Sequence, residues 1–217
     1  MVMNLFHQLG HTCHEQGIDV NQLQHALQSA FLAEKAGCTA ELITACLLHD
    51  IGQLVMGDSV DAPNYMHVDE EHEVVGFKFL ASLFPETVTY PVLHHVAAKR
   101  YLAADPAYYE ILSETSKISL GLQGGRFTPA EAATWIAQPY AQDGIRLRQF
   151  DEYAKVEGVD TPPLAHFRKY IVQAAQGYSP AAACACACAP ATSETTATPI
   201  AGGVEVTPCV GPTAIST

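Results

Sequence analysis

Basic residues are scarce in this chain. It carries 11 Lys and Arg against 23 Asp and Glu, a net charge of −12. That balance argues against nucleic acid and against an anionic membrane surface as partners. It leaves room for a small anionic substrate, because a few local cations can line a pocket. Long apolar runs are also missing: no stretch of about 18 apolar residues occurs, so no membrane-spanning helix is expected. Residues 1–7 lack a basic segment followed by an apolar one, so a secretory leader is not expected either. The seven cysteines form no disulfide framework. Cys13, Cys38 and Cys46 are scattered, Cys184, Cys186 and Cys188 alternate with Ala, and Cys209 stands alone. A reducing cytoplasm fits this usage best. Strand signals are nearly absent and no internal repeat is found, which leaves an all-α class.

What is present is ample apolar material. Hydrophobic residues make up 48% of 217, enough for one domain with a real core. Helical periodicity predicts helices over residues 4–16, 21–35, 39–51, 69–83, 87–103 (interrupted near its start by Pro91), 128–136, 142–155 and 164–176, with two shorter ones between 106 and 121. The segment after Thr39 is apolar almost all round, with Leu42, Ile43, Ala45, Cys46, Leu47, Leu48 and Ile51, and reads as a central buried helix. Residues 53–68 read as a loop. From Ser179 onward Ala, Cys, Thr, Pro and Gly dominate without period, so the organisation expected is a domain at 1–178 and a low-complexity, disordered tail at 179–217.

The chemistry-bearing residues gather around His49-Asp50 at the end of that central helix. An ionised Asp there is costly unless it is paired or bound to a metal; the bland alternative is a helix end reaching solvent. His25 lies beside the apolar stripe of its helix and is either a core histidine or a ligand. His11, Cys13 and His14 could form a metal cluster, but their spacing favours a solvated first helix; most of the charge at Glu70, Glu71 and Glu73 is placed on a solvated helix start, with only His72 a ligand candidate. His95 and Lys99 are four apart and share a helical face, where a metal ligand and a cation could serve a metal-bound anion. His94 points about a quarter-turn away. Arg148 and Asp151 are three apart, and a surface ion pair is their bland reading. Together His25, His49, Asp50, His72, His95 and Asp151 supply four imidazoles and two carboxylates, a set that suits iron, manganese or zinc better than magnesium. Two such metals serve phosphate-ester hydrolysis or oxygen chemistry.

The order of His25, His49-Asp50 and Asp151 resembles the HD-domain superfamily. Six segments resemble more closely its mixed-valence diiron oxygenases of phosphonate catabolism. These are residues 21–25, Leu48-His49-Asp50-Ile51-Gly52, His72-Glu73, residues 95–102, Leu122-Gln123-Gly124-Gly125 and Arg148-Gln149-Phe150-Asp151-Glu152. The resemblance spans about residues 20–170 and implies an HD-domain helical bundle. It implies one iron held by His25, His49, Asp50 and Asp151, and a second held by Asp50, His72 and His95, with Asp50 bridging a mixed-valence Fe(II)/Fe(III) pair. The implied activity uses O2 to cleave the C–P bond of a 1-hydroxyphosphonate, giving a carboxylate and inorganic phosphate. Asp50 and Lys99 are then catalytic, while Lys99, Ser116, Ser119, Gln123 and Arg148 bind the substrate. An upstream phosphonate hydroxylase is a partner by pathway only.

The chain departs from that pattern before His25. A gating Tyr and Glu of the family are not matched in residues 15–21, and Gln53 stands where the family often has His. The amine end of the substrate is therefore open between a free amine and a trimethylammonium head, giving glycine or glycine betaine. A metal-dependent HD phosphohydrolase acting on a nucleotide or phosphate ester, and a non-catalytic HD sensor module, are the alternatives.

Overall fold

The computed structural model describes residues 1–14, 19–57, 71–176 and 178. Among them, eleven helices follow one another: α1 (Val2–Leu9), α2 (Gln22–Lys35), α3 (Ala40–Leu48), α4 (Ile51–Met56), α5 (His72–Leu80), α6 (Glu86–Leu102), α7 (Pro106–Ile111), α8 (Glu114–Leu122), α9 (Pro129–Ile136), α10 (Ala141–Tyr153) and α11 (Leu164–Ala175). An isolated antiparallel bridge between Cys13 and Asn21 is the one β-type pairing among the described residues. The fold is all-α, as expected. The proposed tail, residues 179–217, lies outside the described residues.

The bundle is built around α3. Thr39 caps it, accepting from the Leu42 amide at 3.3 Å. Every α3 residue except Glu41 is buried. Full burial of Ile43, Leu47 and Leu48 contributes about 1.5–3 kcal/mol each. α2, α6 and α11 pack against it. α2 begins with a reciprocal capping box, in which Asn21 and Gln24 exchange side chain–backbone hydrogen bonds at 2.8 Å each. α10 packs most extensively on α6. A Cβ on Gly144 would lie 2.7 Å from the His94 Cβ, so this crossing depends on a residue without a side chain. His94 itself is structural. It bonds the Pro139 carbonyl through Nε2 and accepts from Trp135 Nε1 at 3.3 Å, which ties α6 to α9 and to the segment that follows it.

Three local expectations change. The first helix stops at Leu9 rather than near residue 16; the chain turns at Gly10, and Leu23 donates to the Gly10 carbonyl at 2.8 Å. Pro91 does not interrupt α6, which runs unbroken from Glu86 to Leu102. The missing N–H costs one hydrogen bond, and the buried neighbours Val88, Thr89 and Val92 outweigh it. Finally, Gln53 to Met56 are helical, as part of α4, which ends at Gly57 with φ 73°; residues 58–68 of the expected loop lie outside the described residues.

Candidate metal centre

Helices α2, α5, α6 and α10 and the α3–α4 junction deliver the ligand candidates to one place. His25 sits on the inward face of α2, and His49 is the C-terminal cap of α3. Asp50 leads into α4, His72 opens α5, His95 lies mid-way along α6, and Asp151 lies near the end of α10. Ligand atoms of His25, His49 and Asp151 lie within 4.8 Å of one another, as do those of Asp50, His72 and His95. All six residues singled out from the sequence are therefore together.

The imidazoles are oriented by the backbone. The Nδ1 of His25 bonds the Ala154 carbonyl at 3.1 Å, that of His49 the Cys46 carbonyl at 2.8 Å, and that of His95 the Val92 carbonyl at 2.6 Å. A carbonyl only accepts, so each Nδ1 carries the proton and each Nε2 is left with its lone pair facing inward. The Nε2 atoms of His25 and His49 are 3.0 Å apart, and those of His72 and His95 are 3.1 Å apart. Two lone pairs at that distance repel unless a cation or a proton lies between them.

Asp50 divides its carboxylate between the two pairs. Its Oδ1 lies 3.3 Å from His72 Nε2 and 3.6 Å from His95 Nε2, while its Oδ2 lies 3.5 Å from His49 Nε2 and 3.8 Å from His25 Nε2. Asp151 Oδ1 completes the first group, 3.2 Å from His25 Nε2 and 3.7 Å from His49 Nε2. Donors at about 2.1 Å from a common ion sit about 3–4 Å apart, so both groups fit a metal ion. In the metal-free protein, protons take that place. Burial opposes the charged form of His49, but Asp50 and Asp151 override it and raise its pKa to about 9. Burial, then His72 and His49, push His95 down to about 3. Burial also opposes the charge on Asp50, yet His49 and His72 hold it well below the usual carboxylate range.

A cationic wall adjoins the ligands. Lys99, one turn beyond His95 on α6, is buried and donates to Ser119 Oγ at 2.9 Å. Burial, then the charge on Arg148, lowers its pKa to about 7. Ser119 donates in turn to the Ser116 carbonyl, and Ser116 Oγ accepts from Lys155 Nζ at 3.0 Å. Arg148 is buried; it donates to Asp151 Oδ2, to Glu152 and to the Tyr108 hydroxyl, so it orients the Asp151 oxygen opposite the one facing the imidazoles. Gln123 caps α8, and its Oε1 is buried without a hydrogen-bond partner among the described residues.

Two residues here were not expected. Lys155 was not singled out, although its spacing of four from Asp151 and seven from Arg148 continues one helical face. It is placed by Val156, whose amide and carbonyl pair with the Gln28 side chain at 3.1 and 2.9 Å. His14, expected on a solvated helix, is instead buried, with its ring stacked on His25 at 3.7 Å between centroids. The helix ends too early to hold it, and the Cys13–Asn21 bridge folds the chain back over the site.

The second pair depends on a close helix contact. A Cβ on Gly52 would lie 1.9 Å from the His72 carbonyl oxygen and 2.9 Å from the Gly76 amide nitrogen. Only glycine lets α4 and α5 approach so closely, and this approach brings His72 to Asp50.

An all-α bundle that gathers inward-facing imidazoles and carboxylates from α2, α5, α6, α10 and the α3–α4 junction defines a metal protein of the HD type. The HD-domain family profile matches residues 23–118. The chain is 43% identical over 149 residues to hydroxymethylphosphonate dioxygenase of Gimesia maris, covering 68% of this chain and 74% of that protein. It is 39% identical over 152 residues to the glycine-betaine-forming [1-hydroxy-2-(trimethylamino)ethyl]phosphonate dioxygenase of Leisingera caerulea, covering 70% and 77%. The chain belongs to the HD-domain oxygenases of phosphonate catabolism.

Proposed function

We propose that this protein is a diiron dioxygenase that cleaves the C–P bond of a 1-hydroxyphosphonate, giving a carboxylate and inorganic phosphate. The observation that carries the reading is Asp50, which turns one oxygen to each of two imidazole pairs. A one-metal hydrolase would need only the group formed with His25, His49 and Asp151; His72 and His95 make a second site. His25, His49, Asp50 and Asp151 would hold one iron and Asp50, His72 and His95 the other. When bound, a mixed-valence Fe(II)/Fe(III) pair supplies the capacity to use O2 as a four-electron oxidant. With O2 as co-substrate, the carbon leaves as a carboxylate, the phosphorus as phosphate, and one proton is released.

The protein's own groups bind and orient the phosphonate. In our reading Lys99 acts beside Asp50 and presents its ammonium to the phosphonate, while Ser116, Ser119 and the uncommitted amide of Gln123 offer hydrogen bonds. Arg148 adds positive charge while holding Asp151 in place. The two relatives' names share the 1-hydroxyphosphonate unit and differ beyond it. That shared unit is carried over here, with 2-amino- and 2-trimethylammonio-1-hydroxyethylphosphonate and hydroxymethylphosphonate as the substrates to compare. Three free cysteines among the described residues support a reducing cytoplasm as its compartment, where an upstream phosphonate hydroxylase would supply the 1-hydroxyl group. No helix among the described residues is long and apolar enough to cross a membrane.

The test is to incubate iron-loaded protein with each phosphonate and follow O2 and phosphate together. One phosphate released per O2 consumed, with the matching acid formed, is expected. Phosphate release at an undiminished rate under anaerobic conditions would replace this reading with the hydrolase.

A further inference from the structure

We infer that Arg100 is a positioning residue for substrate binding: it fixes the Gly124-Gly125 turn so that Gln123 presents its amide to the phosphonate beside Lys99. The inference rests on the proposed function in taking Gln123 as a substrate contact. Arg100 Nε donates to the Gly125 carbonyl at 2.9 Å, and its Nη2 donates to the Gly124 carbonyl at 3.1 Å. The guanidinium is itself held in place. Its Cζ lies 4.4 Å from the centre of the Phe127 ring, and Glu131 Oε1 lies 3.9 Å from Nη2. The Phe127 amide also donates to the Arg100 carbonyl at 3.2 Å. A planar fork can hold two successive carbonyls at once, which a lysine ammonium does poorly.

The turn depends on glycine as well as on this arginine. Gly124 and Gly125 have φ of 92° and 71°, a backbone that strains other residues. A Cβ on Gly124 would lie 3.1 Å from Arg100 Nη2 and 3.2 Å from its Cζ, so the guanidinium packs against a residue without a side chain.

The position of Gln123 gives the turn its importance. Ser116, Ser119 and Gln123 follow at helical spacing along α8 and its cap, and Ser119 accepts the hydrogen bond from Lys99. The Gln123 amide N–H donates to the Ser119 carbonyl at 2.9 Å. Its side-chain Oε1 is buried without a hydrogen-bond partner among the described residues. Burying an amide in that state is costly, and a bound ligand removes the cost. Two consecutive residues of α6 therefore fasten the same face of α8. Lys99 reaches Ser119 within the helix, and Arg100 holds the turn just beyond it. Arg100 bonds the turn rather than the metal centre, so its effect on substrate runs through Gln123.

The test is a double-mutant cycle read by anaerobic calorimetry of metal-loaded protein with hydroxymethylphosphonate. Arg100→Ala and Gln123→Ala should each weaken binding roughly tenfold. The double variant should bind no more weakly than Gln123→Ala alone, because the two act as one unit. Arg100→Lys keeps the charge and should still bind more weakly than the parent. Arg126→Ala removes an exposed arginine of the same connection, one that stacks on Tyr109, and should match the parent. Hydrogen exchange of the ligand-free protein adds a second readout. Amides 123–125 should exchange faster in Arg100→Ala and Arg100→Lys, while those of α3 keep the parent rate. Should Arg100→Ala not fold, Arg100→Lys carries both readouts. Parent affinity or parent exchange at the turn in the folded Arg100 variants would overturn the inference, as would additive losses in the double variant. A parent that binds no phosphonate would overturn the substrate seat and this inference with it. A parent that binds it but releases phosphate without O2 would overturn the oxygenase reading alone.

Discussion

Lys99 should make phosphonate binding take up a proton. Its ammonium is buried near Arg148 and Lys155, and its pKa is lowered to about 7. Bound metal ions would push in the same direction. A phosphonate within about 4 Å of Nζ supplies about 4 kcal/mol per unit of charge at an effective dielectric of 20. At 1.36 kcal/mol per unit, that raises the lysine by about three pKa units, to about 10. Between pH 7 and 10 the complex then holds a proton that the free protein lacks, and the dissociation constant should rise about tenfold per pH unit. The assay is anaerobic calorimetry of metal-loaded protein with hydroxymethylphosphonate, in buffers of different ionisation enthalpy, from pH 6.5 to 9. At pH 8.5 the parent should take up about one proton more per ligand than Lys99→Met. Comparing the two proteins cancels the ligand's own ionisation. The variant should bind more weakly near pH 7, by roughly 100-fold or more, on the same charge-pair estimate. Equal proton uptake in the two proteins at pH 8.5 would refute the placement of the phosphonate against Lys99. Stability should carry the same signature in the ligand-free protein. The unfolded chain keeps the Lys99 proton to about pH 10.4, so this group's contribution to stability rises with pH from about 7 to 10.4, and its full cost is present below 7. Lys99→Met should remove that slope in denaturant titrations.

Two further substitutions divide the centre. His72→Ala should leave one tightly held metal per chain and abolish oxygen-dependent phosphate release, measured by metal analysis and phosphate assay; turnover at the parent rate would mean that the second group is not a working site. Gly52→Ala places a methyl group against the His72 carbonyl and the Gly76 amide. It should cost about 1–3 kcal/mol of stability as an overpacked contact, and should lower affinity at the second site more than at the first. A variant with parent stability and two tightly held metals would show that α4 and α5 need no such close approach.

Much of the fold was legible because local signals agreed. Thr39, Asn21 with Gln24, and Thr128 with Glu131 all cap helices where sequence placed the starts. The error at residues 4–16 has a physical cause. The helix stops at Gly10, whose carbonyl accepts from the Leu23 amide at the start of α2, and the following residues pair back with that same region through the Cys13–Asn21 bridge, contacts that helical periodicity does not register.

The sequence by itself determined the helical class, the central buried helix, and the identities of six ligand candidates, because caps, apolar periodicity and the His-Asp pair are local in the chain. The tertiary structure alone decided how Asp50 is shared, since each of its oxygens faces histidines from separate helices. It also decided that Lys155 joins the cationic wall and that His14 is buried beside His25. Those outcomes come from long-range packing. The Gln28–Val156 pairing and the Cys13–Asn21 bridge set the direction of side chains whose own sequence neighbourhoods read as ordinary surface.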